Sequence, residues 1–171
     1  MRTVILGNGG SGKTWLARKL ADCLSIPIIH FDDIFWEPGG FDKPREEKEV
    51  QSMIRQSKHS GPWIAEGVFG HIAEFYLDDA QTIIWLDLPL NICLERLKTR
   101  GSESKEHMGR EESEKGLKEL IKWASEYYER KSKSSFLGHA KIYNEFSKKK
   151  FRLKSEGEVL RFMQDPTCYS T

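Results

Sequence analysis

Four glycines, a lysine and two hydroxyl side chains crowd residues 7–14, Gly7-Asn8-Gly9-Gly10-Ser11-Gly12-Lys13-Thr14. Glycine lets a backbone turn with its N–H groups facing inward, and a helix start offers further unpaired N–H groups to an anion. Lys13 brings positive charge to the β- and γ-phosphates of a bound triphosphate, and the Thr14 hydroxyl is suited to ligate Mg2+. The spacing G-x-x-x-x-G-K-[ST] is that of a phosphate-binding loop, which needs a strand before it and a helix after it. Arg2-Thr3-Val4-Ile5-Leu6 is a β-branched, apolar run suited to a buried parallel strand. Leu16, Leu20, Cys23 and Leu24 then recur at the spacing of one helix face. Residues 7–14 are therefore expected to bind a nucleoside triphosphate.

The elements that must position this loop follow from the rest of the chain. Its 171 residues, 38% hydrophobic and 31% charged, suit a single domain over 1–171 with a core of its own. With 27 basic and 26 acidic side chains the net charge is +1, which offers no general attraction to nucleic acid or to a membrane surface. No apolar run approaches the roughly 18 residues of a membrane span. The N-terminus reads as a core strand rather than a signal peptide, so a cytoplasmic location is expected. Cys23, Cys93 and Cys168 are widely spaced, with no CxxC; Cys23 and Cys93 are expected to be reduced core residues.

Strand-like and helix-like stretches alternate, the signature of a parallel α/β sheet. Strands are expected at residues 26–30, 63–66, 82–87 and 151–154. A helix is expected to open at Pro44, capped by Asp42, and to run to about Ser57 with Val50, Met53 and Ile54 on one face. A second is expected from Pro89 to about Thr99. A third runs from about Glu111 to Lys131, with Leu117, Leu120, Ile121, Ala124 and Tyr128 as its apolar stripe. Another covers residues 136–146, and Ser155-Glu156-Gly157-Glu158 reads as the capping box of a last helix. Residues 101–109 are polar and loop-like. Lys148-Lys149-Lys150 reads as protection of an edge strand.

The loop, Ile28-Ile29-His30-Phe31-Asp32, Phe35-Trp36, Pro44-Arg45-Glu46-Glu47 and Trp63-Ile64-Ala65-Glu66-Gly67 carry a family resemblance. Residues 82–89 and Phe151-Arg152-Leu153-Lys154-Ser155 extend it. In this order they resemble the nucleoside-monophosphate-kinase-like phosphate-loop proteins, and within them the adenylate-kinase-related family labelled DNA topology modulation proteins. The resemblance covers most of the chain and weakens between about residues 101 and 150. It implies an α/β, three-layer P-loop NTPase fold: a five-stranded parallel sheet in the order 2-3-1-4-5, helices on both faces, and a small helical lid at about 101–131. It also implies ATP and Mg2+ as ligands. Arg96 and Arg100, four apart on one helix face, stand where related kinases place arginines near the adenine and phosphates. The Thr-Gly-x-x-x-Arg pattern of true adenylate kinases is absent, and no arginine follows Glu66-Gly67, so the resemblance does not extend to AMP as the acceptor.

Phosphoryl transfer demands an in-line γ-phosphoryl, neutralised charge and an oriented acceptor. Glu66, ending a strand, is expected to organise Mg2+ with Thr14, ahead of Asp87, which also reads as the cap of the Pro89 helix. Asp32 lies at the carboxyl end of the second strand, where open α/β sheets bind ligands, and is suited to take a proton from an acceptor hydroxyl; Asp33 is a weaker candidate, and His30 reads as a hydrogen-bonded strand-end residue. Arg110 is a candidate arginine finger in the lid-like segment. Trp36 and Arg45, with Asp32, are expected to meet the acceptor, and Phe31 and Phe35 either wall the same pocket or pack the chain. Two function classes remain: a small kinase acting on a nucleotide, nucleoside or other hydroxylated metabolite, or an ATP-dependent regulator with slow hydrolysis linked to DNA topology. The kinase reading is favoured, with no strong nucleic-acid binding and no membrane partner expected.

Overall fold

The computed structural model describes residues 1–38, 43–58, 61–101 and 110–164. β1 (Arg2–Gly7) is buried from Thr3 onward and lies in the middle of the sheet. It pairs in parallel with β3 (Trp63–Gly67) on one side and β4 (Thr82–Leu86) on the other. β2 (Ile28–His30) adds outside β3, and β5 (Lys149–Leu153) outside β4, both parallel, giving the order β2-β3-β1-β4-β5. This is the order the family resemblance implied.

The central strands read as continuous apolar runs because both faces are covered. Successive side chains alternate between the faces. Val4, Leu6, Trp63, Ala65, Ile83 and Trp85 pack on one side with α3 (Glu47–Ser57), α4 (Gly70–Leu77) and α7 (Phe136–Glu145). Ile5, Ile64, Ile84 and Leu86 pack on the other with α1 (Lys13–Leu24), α5 (Leu90–Arg100) and α8 (Glu156–Gln164). The short α2 (Phe31–Phe35) follows β2 directly, and α6 (Arg110–Ser125) packs on α5. Among the described residues no helix is long and apolar enough to cross a membrane.

Several expectations are corrected by packing. The helix expected from Pro44 begins at Glu47 with Glu46 at its cap; Pro44 instead bridges Trp36 in an antiparallel contact, and Asp42 lies outside the described residues. α4 has no counterpart in the sequence reading. Its composition is apolar around most of its circumference, so a helical stripe does not stand out. Cys23 is exposed rather than in the core, because Leu16, Ala17 and Leu20 form the buried face of α1 and position 23 turns past its edge; Cys93 is buried as expected, and Cys168 lies outside the described residues. The helix expected to reach Lys131 ends at Ser125 and tightens into a 3-10 turn over Glu126–Tyr128. That change of pitch puts Tyr127 in the core and leaves Tyr128 46% exposed. In the capping box, Ser155 Oγ accepts from the Glu158 N–H at 3.2 Å, while the Glu158 carboxylate accepts from Lys154 N–H at 2.7 Å, one residue earlier than the motif implies. Lys148 closes the edge of the sheet differently from a merely solvated charge: its ammonium donates to the carbonyls of Asp78 and Ala80 at 2.8 and 2.7 Å.

A chain of polar groups crosses the first of these cores. His139 Nε2 lies 2.9 Å from the Val68 carbonyl, and Nδ1 lies 2.8 Å from the Tyr127 hydroxyl. A carbonyl only accepts, so Nε2 carries the proton, Nδ1 accepts from Tyr127, and the Tyr127 oxygen accepts in turn from the Trp85 indole at 3.3 Å. Every member is satisfied only while the imidazole is neutral. Burial holds the His139 pKa at about 4, against 6.5 for a free histidine, although the Val68 carbonyl favours the charged form. The unfolded chain therefore binds more protons once the pH drops below 6.5, and stability is lost from there down to about pH 4. The shift amounts to about 3 kcal/mol across that window. Urea melts of the wild type should show this acid loss, whereas a His139→Gln variant should be less stable at pH 7 yet flatter between pH 7 and 4. An unchanged slope in the variant would assign the acid sensitivity elsewhere.

Candidate phosphoryl-transfer site

The loop from Asn8 to Gly12 leaves the carboxyl end of β1 and runs into the N-terminus of α1. Gly10 and Gly12 adopt φ of 77° and 93°, the left-handed region that glycine enters without strain. A Cβ at Gly10 would stand 2.2 Å from the Cys93 carbonyl oxygen, so the loop packs on α5 only with glycine there. The first helical bond of α1 runs from Leu16 N to Gly12 O at 2.9 Å, which leaves the N–H groups of the first turn pointing out of the helix start. Asn8 ties the loop from below: its Nδ2 donates to the Ala124 carbonyl at the end of α6, and its Oδ1 accepts from Gly9 N–H. The buried Ser11 hydroxyl has no hydrogen-bond partner among the described residues. Lys13 Nζ donates to the Asn8 carbonyl at 2.9 Å, spanning the loop. This turn of backbone N–H groups with Lys13 beside it is suited to a phosphate chain.

Glu66 stands opposite Thr14. It is only 3% exposed, and one carboxylate oxygen accepts from Thr14 Oγ1 at 2.9 Å and meets His30 Nδ1 at 2.6 Å. The parallel register places His30 directly beside Glu66, which explains the contact. Burial pushes the Glu66 carboxyl upward, but His30, Lys13 and Thr14 outweigh it and hold the group below the usual glutamate range. Reciprocally, the Glu66 hydrogen bond raises the His30 pKa against its burial. A hydroxyl and an ionised carboxylate at hydrogen-bonding distance form a hard oxygen pair suited to Mg2+, which binds through one or two protein oxygens and retained water. Thr14 and Glu66 would hold it.

Asp32, the second residue of α2, faces Lys13 and Glu66. Burial raises its pKa, with Lys13 opposing and Glu66 and Asp33 adding to the rise. Its carboxylate has no hydrogen-bond or ion-pair partner among the described residues. Asp33 is exposed. Asp87 is elsewhere employed: its Oδ2 accepts from Nε and Nη2 of Arg152 at 2.9 and 2.7 Å, and Arg152 lies over the Trp85 ring at 4.2 Å. It caps no helix, since Pro89 occupies the cap position of α5.

Aromatic rings line the chain just beyond Asp32 and Glu66. Phe35 stacks on Phe69 at 4.2 Å, Trp36 meets Phe35 edge-on at 4.7 Å, and His71 packs against both Phe35 and Phe69 at 5.7 and 5.6 Å. Trp36 thus packs against Phe35 and Phe69, while Phe31 is fully buried in the core. Arg45 is attached to this wall through its N–H to the Phe35 carbonyl at 2.8 Å, but its guanidinium pairs with Glu49 at 2.6 Å. Phe69 and His71 escaped the sequence reading because they belong to the unanticipated α4 and its cap; their position three and five residues after Glu66 was the available signal.

Arg96 lies on the opposite side of the loop, one guanidinium nitrogen donating to the Ser11 carbonyl at 3.2 Å and another to Glu156 Oε1 at 2.5 Å. Glu156, which only the fold brings here, was also missed. Arg100 ends α5 and Arg110 opens α6, and their side chains lie outside the described residues, as do residues 102–109 of the lid-like segment.

Comparison with known proteins bears on the family and the fold. A family model described as an AAA domain matches residues 4–116. The chain is 30% identical over 142 residues to a cytidylate kinase of Natronomonas pharaonis, covering 75% of this chain and 72% of that protein. In fold it is similar to the deoxyadenosine kinase from M. mycoides, with a TM-score of 0.51, 16% identity and coverage of 99% and 100% of the two chains. The shikimate kinase from Bacteroides thetaiotaomicron gives a TM-score of 0.51 at 16% identity, over 96% and 94%. With its loop, its sheet order and these relatives, the chain belongs to the AAA-domain, nucleoside-monophosphate-kinase-like family of phosphate-loop proteins.

Proposed function

We propose that this protein is an ATP- and Mg2+-dependent phosphotransferase that moves the γ-phosphoryl group to a small acceptor: a nucleotide, a nucleoside or another hydroxylated metabolite. One observation carries the reading. Lys13, Thr14, Glu66 and Asp32, drawn from three separate elements, converge on the mouth of the loop, and the partly buried Asp32 carboxylate has no hydrogen-bond or ion-pair partner among the described residues. A bare nucleotide switch has no use for that group or for the aromatic wall beside it.

In this reading the loop N–H groups and Lys13 hold the phosphate chain, and Mg2+, held by Thr14 and Glu66, supplies charge neutralisation at its oxygens when bound. His30 orients Glu66 so that one carboxylate oxygen stays turned toward Thr14. Asp32 fixes the acceptor hydroxyl and takes its proton as the acceptor oxygen bonds to the γ-phosphorus; the bond to the β-phosphate oxygen breaks and ADP leaves. Burial raises the Asp32 pKa and so strengthens it as a base, while the Lys13 charge opposes the rise. Trp36 and Arg45 flank the acceptor, Arg96 lies on the nucleotide side, and Arg100 and Arg110 meet the phosphates as the segment at about 101–131 closes as a lid. The defining experiment is a screen of cytidylate, other nucleotides, nucleosides and small hydroxylated metabolites with ATP and Mg2+. Idle hydrolysis with no acceptor accelerating ADP release would favour the regulator.

Two mutations test the roles. Lys13→Ala should leave the fold intact, abolish transfer and weaken ATP binding by about 1.5–3 kcal/mol, the worth of a charge-assisted contact; calorimetric titration showing unchanged affinity would sink the loop assignment. Asp32→Asn should lower kcat by about 10²–10⁴-fold. Because burial places the Asp32 pKa above the ordinary aspartate range, the wild-type rate should fall as pH drops through a limb above that range, and the variant should lose that limb. A rate profile of identical shape in both proteins would remove Asp32 from proton transfer.

A further inference from the structure

β3 delivers Glu66 to the loop, and the four residues after it decide what else can stand on the Asp32 side. Gly67, Val68, Phe69 and Gly70 carry no charge, and two of them have no room for a side chain at all. A Cβ at Gly67 would stand 2.5 Å from the Phe31 Cβ, and a Cβ at Gly70 would stand 2.0 Å from the Lys133 carbonyl oxygen. The turn packs so closely on α2 and on the chain before α7 that neither position can carry a cation. The described cations flanking this side are each matched by a carboxylate: Lys43 by Glu37 at 2.8 Å, Arg45 by Glu49 at 2.6 Å, and Lys133 by Glu74. Against them stand Asp32 and Asp33, which have no ion-pair partner among the described residues.

What the turn does deliver is His71, the second residue of α4. Its ring meets Phe35 and Phe69 edge-on, at interplanar angles of 71° and 64°. Phe35 lies three residues after Asp32 on α2, the spacing of one helix face, so the carboxylate, the rings and the imidazole follow one another across the ends of β2 and β3. The His71 ring is half-buried, and neither of its nitrogens makes a hydrogen bond among the described residues. Burial lowers its pKa, with Glu74 opposing and Lys133 adding to the fall, so the ring is neutral at physiological pH. A neutral imidazole has one N–H to give and one lone pair to receive with. That pair complements the edge of a heterocycle; a phosphate, which only accepts and carries charge, calls for cations and several donors.

We propose that the phosphoryl acceptor is an unphosphorylated nucleoside, its base read by His71 beside the Phe35, Trp36 and Phe69 rings and its hydroxyl fixed by Asp32. The proposal rests on the phosphotransferase reading and narrows its acceptor to one class. A nucleoside monophosphate would set negative charge beside Asp32 and Asp33 with no unmatched cation on this side, among the described residues, to receive it. A nucleoside brings a planar ring for aromatic contact, a polar base edge and an uncharged hydroxyl. In the transfer, the nucleoside hydroxyl oxygen bonds to the γ-phosphorus and its proton passes to Asp32. The bond from the γ-phosphorus to the bridging oxygen breaks, and its electron pair leaves with ADP. The product then carries a phosphate that this side does not hold, which favours its release.

Matched pairs test this: cytidine against cytidylate, adenosine against adenylate, and the corresponding guanine, uracil and thymine pairs, each with ATP and Mg2+ and with ADP release and phosphorylated product measured. For the preferred base, the nucleoside should exceed its monophosphate by about 10²-fold or more in kcat/KM, the effect of unrelieved like charges. His71→Phe, which keeps a ring against Phe35 and Phe69, should raise KM for that nucleoside about three- to tenfold with kcat nearly unchanged, the loss of a hydrogen bond made equally in ground and transition states. His71→Gln, whose amide both donates and accepts, should restore most of the affinity and also decides the question if the phenylalanine variant folds poorly. Monophosphates turned over as well as or better than nucleosides overturn the proposal, as does phosphorylation of non-nucleoside alcohols alone. Unchanged KM in both His71 variants overturns the assignment of base reading to His71. No acceptor in either set accelerating ADP release would instead overturn the phosphotransferase reading itself, a result distinct from transfer to the phosphorylated member of a pair.

Discussion

A buried carboxylate beside the helix that follows the loop organises this molecule. Removing Glu66 from water costs several kcal/mol unless its charge is met, and the chain meets it with the Thr14 hydroxyl, the His30 ring and the field of Lys13. Those groups come from α1 and β2 and Glu66 itself from β3, so the interaction exists only if β3 lies between β1 and β2, as it does. Loop, sheet order and acid are thus mutually dependent. The same carboxylate helps place Asp32 in a field of opposing influences, its pKa raised by burial and by Glu66 and lowered by Lys13.

Why Glu66 and not Asp87 takes this place follows from packing on the other flank. Both residues stand at strand ends beside β1. Asp87 is neutralised by Arg152, whose guanidinium lies on Trp85, and Trp85 in turn joins the Tyr127–His139 chain beneath the sheet end. On the β4–β5 side one oxygen of Asp87 is thereby taken up by Arg152, whereas on the β2–β3 side Glu66 meets Thr14 and His30, and Asp32 has no hydrogen-bond or ion-pair partner among the described residues.

The glycines of the loop connect this arrangement to the helices. Gly10 permits α5 to approach within contact distance of the loop backbone, and Asn8 bonds the end of α6. Through Asn8 the loop is thus tied to α6, within the segment expected as a lid, and through the Asn8 carbonyl to Lys13.

The local patterns of this chain determined a good deal by themselves. The phosphate loop, its flanking strand and helix, the alternation of strands and helices, and the candidacy of Thr14, Glu66 and Asp32 are legible because each depends on residues within a few positions of one another. Backbone turns, helix periodicity and strand ends are near-neighbour physics. What tertiary structure decided is of another kind. Whether Cys23 or Ala17 faces the core depended on which arc of α1 meets the sheet, and Tyr127 displaced Tyr128 because the helix tightened against its neighbours. Whether Asp87 stayed free depended on Arg152, 65 residues away, and the partner of Arg96 is 60 residues away in Glu156. Such pairings arise from strand order and helix crossing, which bring together side chains that carry no mark of each other in the sequence. The phosphate loop was therefore written locally, and which acid comes to lie against it belongs to the fold.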